Sequence, residues 1–202
     1  DEAVCYAANQ EIIRRYYTAL CNQTKGSDSG EEAHKIGLLM KQSKLSTSDR
    51  TVIKPALEKA EKTGAPAAAI ELPDGQIITG KTSNLLGACS AMLLNALKCL
   101  AKIPKEVDIL DAAVIEPIQK LKVDSLGSTN PRLHTDEILI ALSMSAVTNP
   151  SARLAMQQLP MLQDTEAHAT VILSETDNRT LKKLGIRLTT EPTYETKRLY
   201  RK

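Results

Sequence analysis

The sequence predicts a helix-rich α/β protein in which helices cover a small mixed sheet of four strands, with an α+β arrangement as the alternative. Three observations lead to this prediction. Apolar residues recur at helical spacing early in the chain, a hairpin signal lies at 66–79, and a β-α-β pattern spans 168–190. The 202 residues are enough for one domain of ordinary core. We place it at 46–202, after a helical region at 1–45.

The helix predictions depend on apolar spacing and on capping residues at the helix ends. Five helices are predicted by range, at 2–22, 31–42, 83–103, 111–122 and 176–184. Another is capped by Ser46 or Ser48 and ends at Gly64. Two more start at Asn130-Pro131 and at Asn149-Pro150. The helix at 83–103 is apolar nearly all round, which predicts a buried, central position. The absence of Phe and Trp favours closely packed helices with an aliphatic core.

The strand predictions depend on β-forming residues between turn signals. The predicted strands are 66–72, 76–79, 168–174 and 186–190. Asp74-Gly75 joins the first two in a hairpin, because Asp-Gly suits a tight two-residue turn. Gly185 ends the last helix just before the final strand.

Composition argues against nucleic acid and a membrane as partners. The net charge is only +2 and the five aromatic residues are all Tyr, so neither a basic face nor a stacking platform is expected. We interpret the basic segment 194–202 as a solvated tail. No apolar stretch reaches the roughly 18 residues of a membrane span. The four cysteines are far apart without a CxxC pair, which favours a reducing compartment, here the cytoplasm.

Residues 75–82, GQIITGKT, formally match the phosphate-binding pattern GxxxxGK[ST]. The four residues between the glycines are β-formers and predict a strand instead of a phosphate-cradling loop. A simpler anion site is still open, in which Gly80, Lys81, Thr82 and Ser83 lead into the N-terminus of a buried helix. The alternative is that Thr82 or Ser83 only caps the helix and Lys81 is solvated.

A second polar cluster lies in residues 127–137, GSTNPRLHTDE, where a loop enters a helix. Its anion-binding candidates are Asn130 and Arg132. The acid–base candidates, which include two residues from a later strand, are His134, Asp136, Glu137, Glu166 and His168. The alternative is structural, since acidic residues complement the positive end of a helix. The spacing matches no metal motif, so no metal ligands are assigned, and the cofactor is unknown.

Several long segments carry a family resemblance, among them KPALEKAEKTGAPAAAIELPDGQIITGKTSNLLGACSAMLLNALK, LGSTNPRLHTDEILIALSMSA and EAHATVILS. Together they resemble the C-terminal part of the bacterial family called domain of unknown function 1846, or uncharacterised protein family 0371. The resemblance implies a longer protein whose N-terminal portion carries a PGPGSGK-like segment. It implies no particular reaction. The opening DEAVCYAANQ, without an initiator Met or a signal-peptide pattern, leads to the same expectation of a longer protein.

Two hypotheses of function follow. The first is a C-terminal domain for packing and homo-oligomer contacts that forms one wall of an inter-domain cleft with the protein's own N-terminal portion. The second is a hydrolase or transferase, with metal dependence left open, that acts on a small molecule bearing a phosphate or carboxylate. The second predicts that the helix starting near residue 83 and the 127–137 loop converge on one pocket, where His134 approaches His168.

Overall fold

The computed structural model describes residues 2–195 and confirms the α/β prediction. The helices are α1 Glu2–Lys25, α2 Glu31–Gln42, α3 Ile53–Thr63, α4 Ala88–Leu100, α5 Ala112–Lys120, α6 Thr135–Ser145, α7 Pro150–Met156 and α8 Glu175–Lys183. The strands are β1 Ala67–Glu71, β2 Ile77–Lys81, β3 Glu166–Ala169 and β4 Arg187–Thr190. Most of the predicted basic tail, 196–202, lies outside the described residues. Within those residues, no helix has the length and apolar character needed to cross a membrane.

The sheet has the strand order β2-β1-β3-β4. Strand β1 is antiparallel to both of its neighbours, while β3 and β4 are parallel. Strands β2, β3 and β4 therefore run in the same direction and end at the same edge of the sheet. In open α/β sheets, ligands bind outside the carboxyl ends of the strands, so this edge is where a site is expected.

Helices cover both faces of the sheet, and alternation along β1 shows which residue faces which layer. Ala69 packs with Val52 and Ala56 on the side of α3. Ala68 and Ile70 point to the opposite side, into the main core with α4, α6, α7 and α8. We call the first side the α1 face, because α1 also packs there against β4, and the second the α4 face.

Gly80 in β2 allows α4 to lie directly on the sheet. A Cβ atom at this position would be 2.1 Å from the backbone N of Met92 and 2.6 Å from its Cα, far inside van der Waals contact. Backbone atoms cannot yield as a flexible side chain can, so only glycine fits here. The glycine of the phosphate-like motif thus has a packing role.

The predicted helix start at residue 83 is wrong, because α4 begins at Ala88 after Gly87. The residues before it form a turn in which Ser83 Oγ accepts hydrogen bonds from the amides of Leu85 and Leu86. Leu86 then pairs with Leu133 as a parallel β-bridge. That tertiary pairing keeps the segment extended, so neither Thr82 nor Ser83 caps the helix.

The same pairing moves the start of α6. A helix was predicted from Asn130-Pro131, but α6 begins at Thr135, because the amide of Leu133 donates to the carbonyl of Leu85 at 3.0 Å. The similar pair Asn149-Pro150 does start α7, with Asn149 Oδ1 accepting from two helix amides. Identical local signals therefore gave different results where a neighbouring segment competed.

Candidate functional site

A cavity of about 400 Å³ lies at the edge where β2, β3 and β4 end. Its wall comes from three parts of the chain that are distant in sequence. They are the connection from β2 into α4 (Thr82 and 87–90), the loop before α6 (128–134), and the segment from β3 into α8 (171–177), joined by Glu195 after β4. The convergence of the α4 start with the 127–137 loop was expected from sequence.

Three helices begin at this cavity: α4 after Gly87, α6 after His134 and α8 after Ser174. The first amides of a helix have no intrahelical acceptor, and the helix dipole adds a partial positive charge there. The arrangement is held by direct contacts, since the bridge between Leu86 and Leu133 joins α4 to α6. The Thr135 amide donates to Asp177 at 2.8 Å, which joins α6 to α8.

Arg132 is the strong cation of the cavity wall. Its Nη1 donates to Oε1 of Glu195 at 2.6 Å, and both side chains are mostly buried. Asn130 shapes the approach, because its Oδ1 accepts from the Arg132 amide at 3.2 Å. An acidic group in the cavity could bind this guanidinium in place of Glu195.

His134 forms a hydrogen-bonded pair with Asp177. Its Nδ1 donates to Oδ2 of Asp177 at 2.9 Å, and the Ser174 hydroxyl donates to the same oxygen at 2.8 Å. This hydrogen bond raises the pKa of His134, although burial opposes the shift. Burial would raise the pKa of Asp177, but its bonds to His134, Thr135 and Ser174 together hold it below the ordinary value.

Asp136 and Glu137 have structural contacts. Glu137 Oε2 accepts from the His134 amide at 2.7 Å and from Lys122 Nζ at 2.8 Å. Asp136 accepts from the Glu137 amide at 2.9 Å in the first turn of α6. Neither carboxylate is part of the cavity wall, so these contacts agree with the structural alternative stated above.

Glu166 lies on the α1 face, away from the cavity. Its carboxylate pairs with Arg14 at 2.8 Å and with the buried Arg50, while Arg187 approaches within 3.8 Å. Three guanidinium groups thus surround it. That environment is typical of a structural ion pair and leaves little room for proton transfer to a ligand.

His168 is also on the α1 face and is completely buried. Its Nδ1 bonds to Oγ1 of Thr189 at 2.8 Å and its Nε2 to Glu191 at 3.1 Å, while Tyr17 packs edge-on against the ring. The structure therefore does not bring His134 and His168 together, because β3 places the second histidine across the sheet.

Of the candidates from the phosphate-like motif, only Thr82 lines the cavity. Lys81 follows Gly80 in β2, so strand alternation puts the Lys81 side chain on the side of the sheet away from Gly80 and α4. There it is exposed. Ser83 forms the turn described above. The cationic contribution comes from Arg132 instead.

Residues 2–195 contain no group of three or more His, Cys, Asp or Glu placed to hold a metal ion. Cys89 lies in the cavity wall, but burial, with a smaller effect from Asp177, raises the pKa of its thiol well above the ordinary value. A protonated, buried thiol is a weak nucleophile.

The residues that sequence reasoning missed are Ser174, Asp177 and Glu195. Ser174 and Asp177 have the S-x-x-D spacing of a helix start, and the Ser174 hydroxyl indeed accepts from the Asp177 amide. That signal predicts where α8 begins. It carries no information that Asp177 would meet His134, which is 43 positions away.

Comparison with known proteins gives one consistent family. The model of "Domain of unknown function DUF1846, C-terminal" matches residues 48–200, and that of "Domain of unknown function DUF1846, N-terminal" matches residues 1–44. UPF0371 proteins of Streptococcus pneumoniae strains Hungary19A-6 and P1031 are each 51% identical over 203 residues. These alignments cover 100% of this chain but 41% of each relative, so the chain spans about two fifths of their length.

Proposed function

Since this chain belongs to the DUF1846 family of domains of unknown function, we propose that it forms one wall of a cleft for a small molecule bearing a phosphate or carboxylate. The observation that carries the proposal is Arg132 beside His134 in a cavity at the carboxyl ends of three strands. The start of α4 adds favourable potential for an anion, because its first turn carries no acidic residue.

The carboxylates of the cavity wall decide how an anion would bind. Asp177 is committed to His134, Ser174 and the Thr135 amide. Glu195 is the partner of Arg132, so an incoming carboxylate or phosphate takes its place on the guanidinium. The ligand therefore competes with an internal carboxylate, which lowers its apparent affinity.

The remainder of the cleft belongs to the longer protein in this proposal. The relatives are longer than the chain, and the two family models divide it between residues 44 and 48. That division supports a helical region at 1–45 and an α/β domain at 46–202. Cytoplasmic location belongs to the same proposal and is supported by four cysteines that form no disulfide among the described residues.

Phosphate binding, measured by calorimetry, tests the proposal. Arg132→Gln should weaken binding about tenfold or more, because a charge-assisted hydrogen bond contributes about 1.5–3 kcal/mol. Glu195→Gln should strengthen binding, since the competing charge is removed. Lys81→Gln is the matched control, as it deletes an exposed cation outside the cavity. Equal effects of Arg132→Gln and Lys81→Gln, or no binding by the wild-type chain, would overturn the proposal.

The same cavity supports the enzyme alternative, a hydrolase or transferase for such a molecule. Arg132 would hold the acidic group, and His134, two positions further along the chain, lies in the same cavity wall. Turnover of a phosphate ester or carboxylic ester by the longer protein, lost in His134→Asn, would distinguish it from a pure binding role.

Packing and oligomer contacts are a second candidate, supported by an apolar stripe on α6 and the turn that follows it. Ile140, Met144 and Val147 are 60%, 66% and 74% exposed and recur at helical spacing. Such a stripe is typical of a contact surface. Light scattering at micromolar concentration should show a homo-oligomer that Met144→Lys dissociates. A monomeric wild-type chain would contradict this candidate.

A further inference from the structure

The His134 ring is held at Nδ1 by two side chains from the start of α8, Asp177 and Ser174. Asp177 accepts from Nδ1 at 2.9 Å and is itself fixed by the Thr135 amide and the Ser174 hydroxyl, each at 2.8 Å. All of these contacts restrict rotation of the ring. The proton of a neutral His134 is therefore placed on Nδ1, facing the carboxylate.

The backbone at His134 is fixed as well. Glu137 accepts from its amide at 2.7 Å, and Lys122 Nζ donates both to Glu137 at 2.8 Å and to the carbonyl of Arg132 at 2.7 Å. Lys122 is almost completely buried. One ammonium group thus joins the Arg132 carbonyl to Glu137, which in turn holds the His134 amide.

The other ring nitrogen of His134, Nε2, has no hydrogen-bond partner in the described part of the chain, although the residue lines the cavity. With the proton on Nδ1, the lone pair of Nε2 is available to a ligand. His168 provides the contrast, since Thr189 and Glu191 occupy both of its ring nitrogens. Of these two histidines, His134 is therefore the one with a ring nitrogen free to accept a proton from a bound molecule.

We propose that His134 is a catalytic residue that exchanges a proton with the ligand through Nε2, and that Asp177 is its positioning residue. In the forward direction an O–H bond of the ligand breaks, the oxygen keeps the electron pair, and an N–H bond forms at Nε2. The Asp177 carboxylate stabilises the resulting imidazolium.

This inference deepens the proposed function and depends on it. It assigns the ligand a class, a small molecule with an acidic group for Arg132 and a hydroxyl or protonated acid within reach of Nε2. Hydrogen bonding to Asp177 raises the pKa of His134, as expected for a base that must hold a proton.

Nuclear magnetic resonance of the ring nitrogens tests the arrangement without any ligand. Neutral His134 should carry its proton on Nδ1, and Asp177→Asn should lower the pKa of His134. The exposed His34 on α2 is the internal control, because Asp177→Asn should leave its signals unchanged. A wild-type chain whose neutral His134 is protonated on Nε2 would overturn the inference, whether or not the variant folds.

Calorimetry with sulfate, which has no titrating proton of its own between about pH 6 and 9, tests the proton exchange. Binding at the alkaline end of this range should draw protons onto His134, seen as a dependence of the heat on the buffer. His134→Asn keeps a donor for Asp177 and should abolish the proton uptake that accompanies sulfate binding. His34→Asn should behave like wild type.

The two failures are distinguishable. Sulfate binding with no proton uptake in the wild-type chain overturns the role of His134 and leaves the anion cleft intact. Failure of both sulfate and phosphate to bind overturns the proposed function, and this inference with it.

Discussion

The two faces of the sheet are covered by helices but stabilised by different chemistry. On the α4 face, Ala68 and Ile70 of β1 pack into an aliphatic core with α4 side chains such as Leu93. On the α1 face, polar groups fill the equivalent space, with Arg50 and His168 both completely buried. Burial of apolar area is non-directional, whereas buried charges require matched partners.

Arg50 shows what the polar face requires. Its five N–H groups all find acceptors, which are Thr189, Gln10, Glu166 and the carbonyls of Ala167 and Arg187. These acceptors come from α1, β3 and β4, so one guanidinium fixes the orientation of a helix on the sheet. The α4 face is therefore stabilised by apolar burial, while the α1 face depends on matched polar contacts that also determine how α1 lies.

The largest expected effect is that of Arg50→Met, about 4 kcal/mol in the free energy of unfolding measured in urea. The substitution removes one hydrogen-bond donor each from Glu166 and from the carbonyls of Ala167 and Arg187. The control is Arg15→Met, because the Arg15 side chain on α1 is 71% exposed. This substitution should change the free energy of unfolding by less than about 0.5 kcal/mol. Adding Glu166→Gln to Arg50→Met should recover part of the loss. A double variant less stable than either single variant would contradict the ion-pair explanation.

Leu93→Ala on the α4 face should cost about 3 kcal/mol, since it leaves a cavity in a fully buried aliphatic site. Leu126→Ala is its matched control, because Leu126 is largely exposed. Removing a neighbouring charge should not rescue Leu93→Ala as it rescues Arg50→Met. Only a nearby substitution that refills the lost volume should do so. Equal losses of unfolding free energy for Leu93→Ala and Leu126→Ala would contradict an aliphatic core on the α4 face.

The smallest effect is a pH dependence of opposite sign for the two histidines. Burial, only partly offset by Glu191, lowers the pKa of His168, so its contribution is present above about pH 6.5 and lost as the pH falls below it. The pKa of His134 is raised, so its contribution is complete below about pH 6.5 and lost as the pH rises through the folded value.

Urea unfolding from about pH 5 to 8 measures both signs. The advantage of wild type over His168→Gln should shrink on acidification, and its advantage over His134→Asn should shrink on alkalinisation. The charged or titratable groups against His168 are Tyr17, Glu191 and Arg50, which remain in both proteins. If the stability difference from wild type changed with pH in the same direction for both variants, the opposite signs predicted for the two histidines would be wrong.

Much of the fold was predictable because its signals are local. Asp74-Gly75 gives the hairpin, Asn149-Pro150 starts α7, and the apolar run around α4 predicts its burial. The starts of α4 and α6 were predicted about five residues early, because the bridge between Leu86 and Leu133 competes with helix formation. A contact between segments 47 positions apart leaves no trace in local spacing.

The candidate site was predictable only in part. Thr82, Asn130, Arg132 and His134 do line one cavity. Glu166 and His168 were grouped with them on the condition that the fold brings them together, but the register of β3 turns both side chains to the α1 face. Asp177, the partner of His134, could be recognised only as a residue in the first turn of a helix.

The sequence by itself determined the α/β class, the hairpin and the central helix, because these follow from periodicity and from residues a few positions apart. The tertiary structure alone decided which face each polar residue joins, since that depends on strand register and on the order β2-β1-β3-β4. The same strand order brings three carboxyl ends to one edge and α8 beside α6. That placement makes Asp177, in the first turn of α8, the partner of His134.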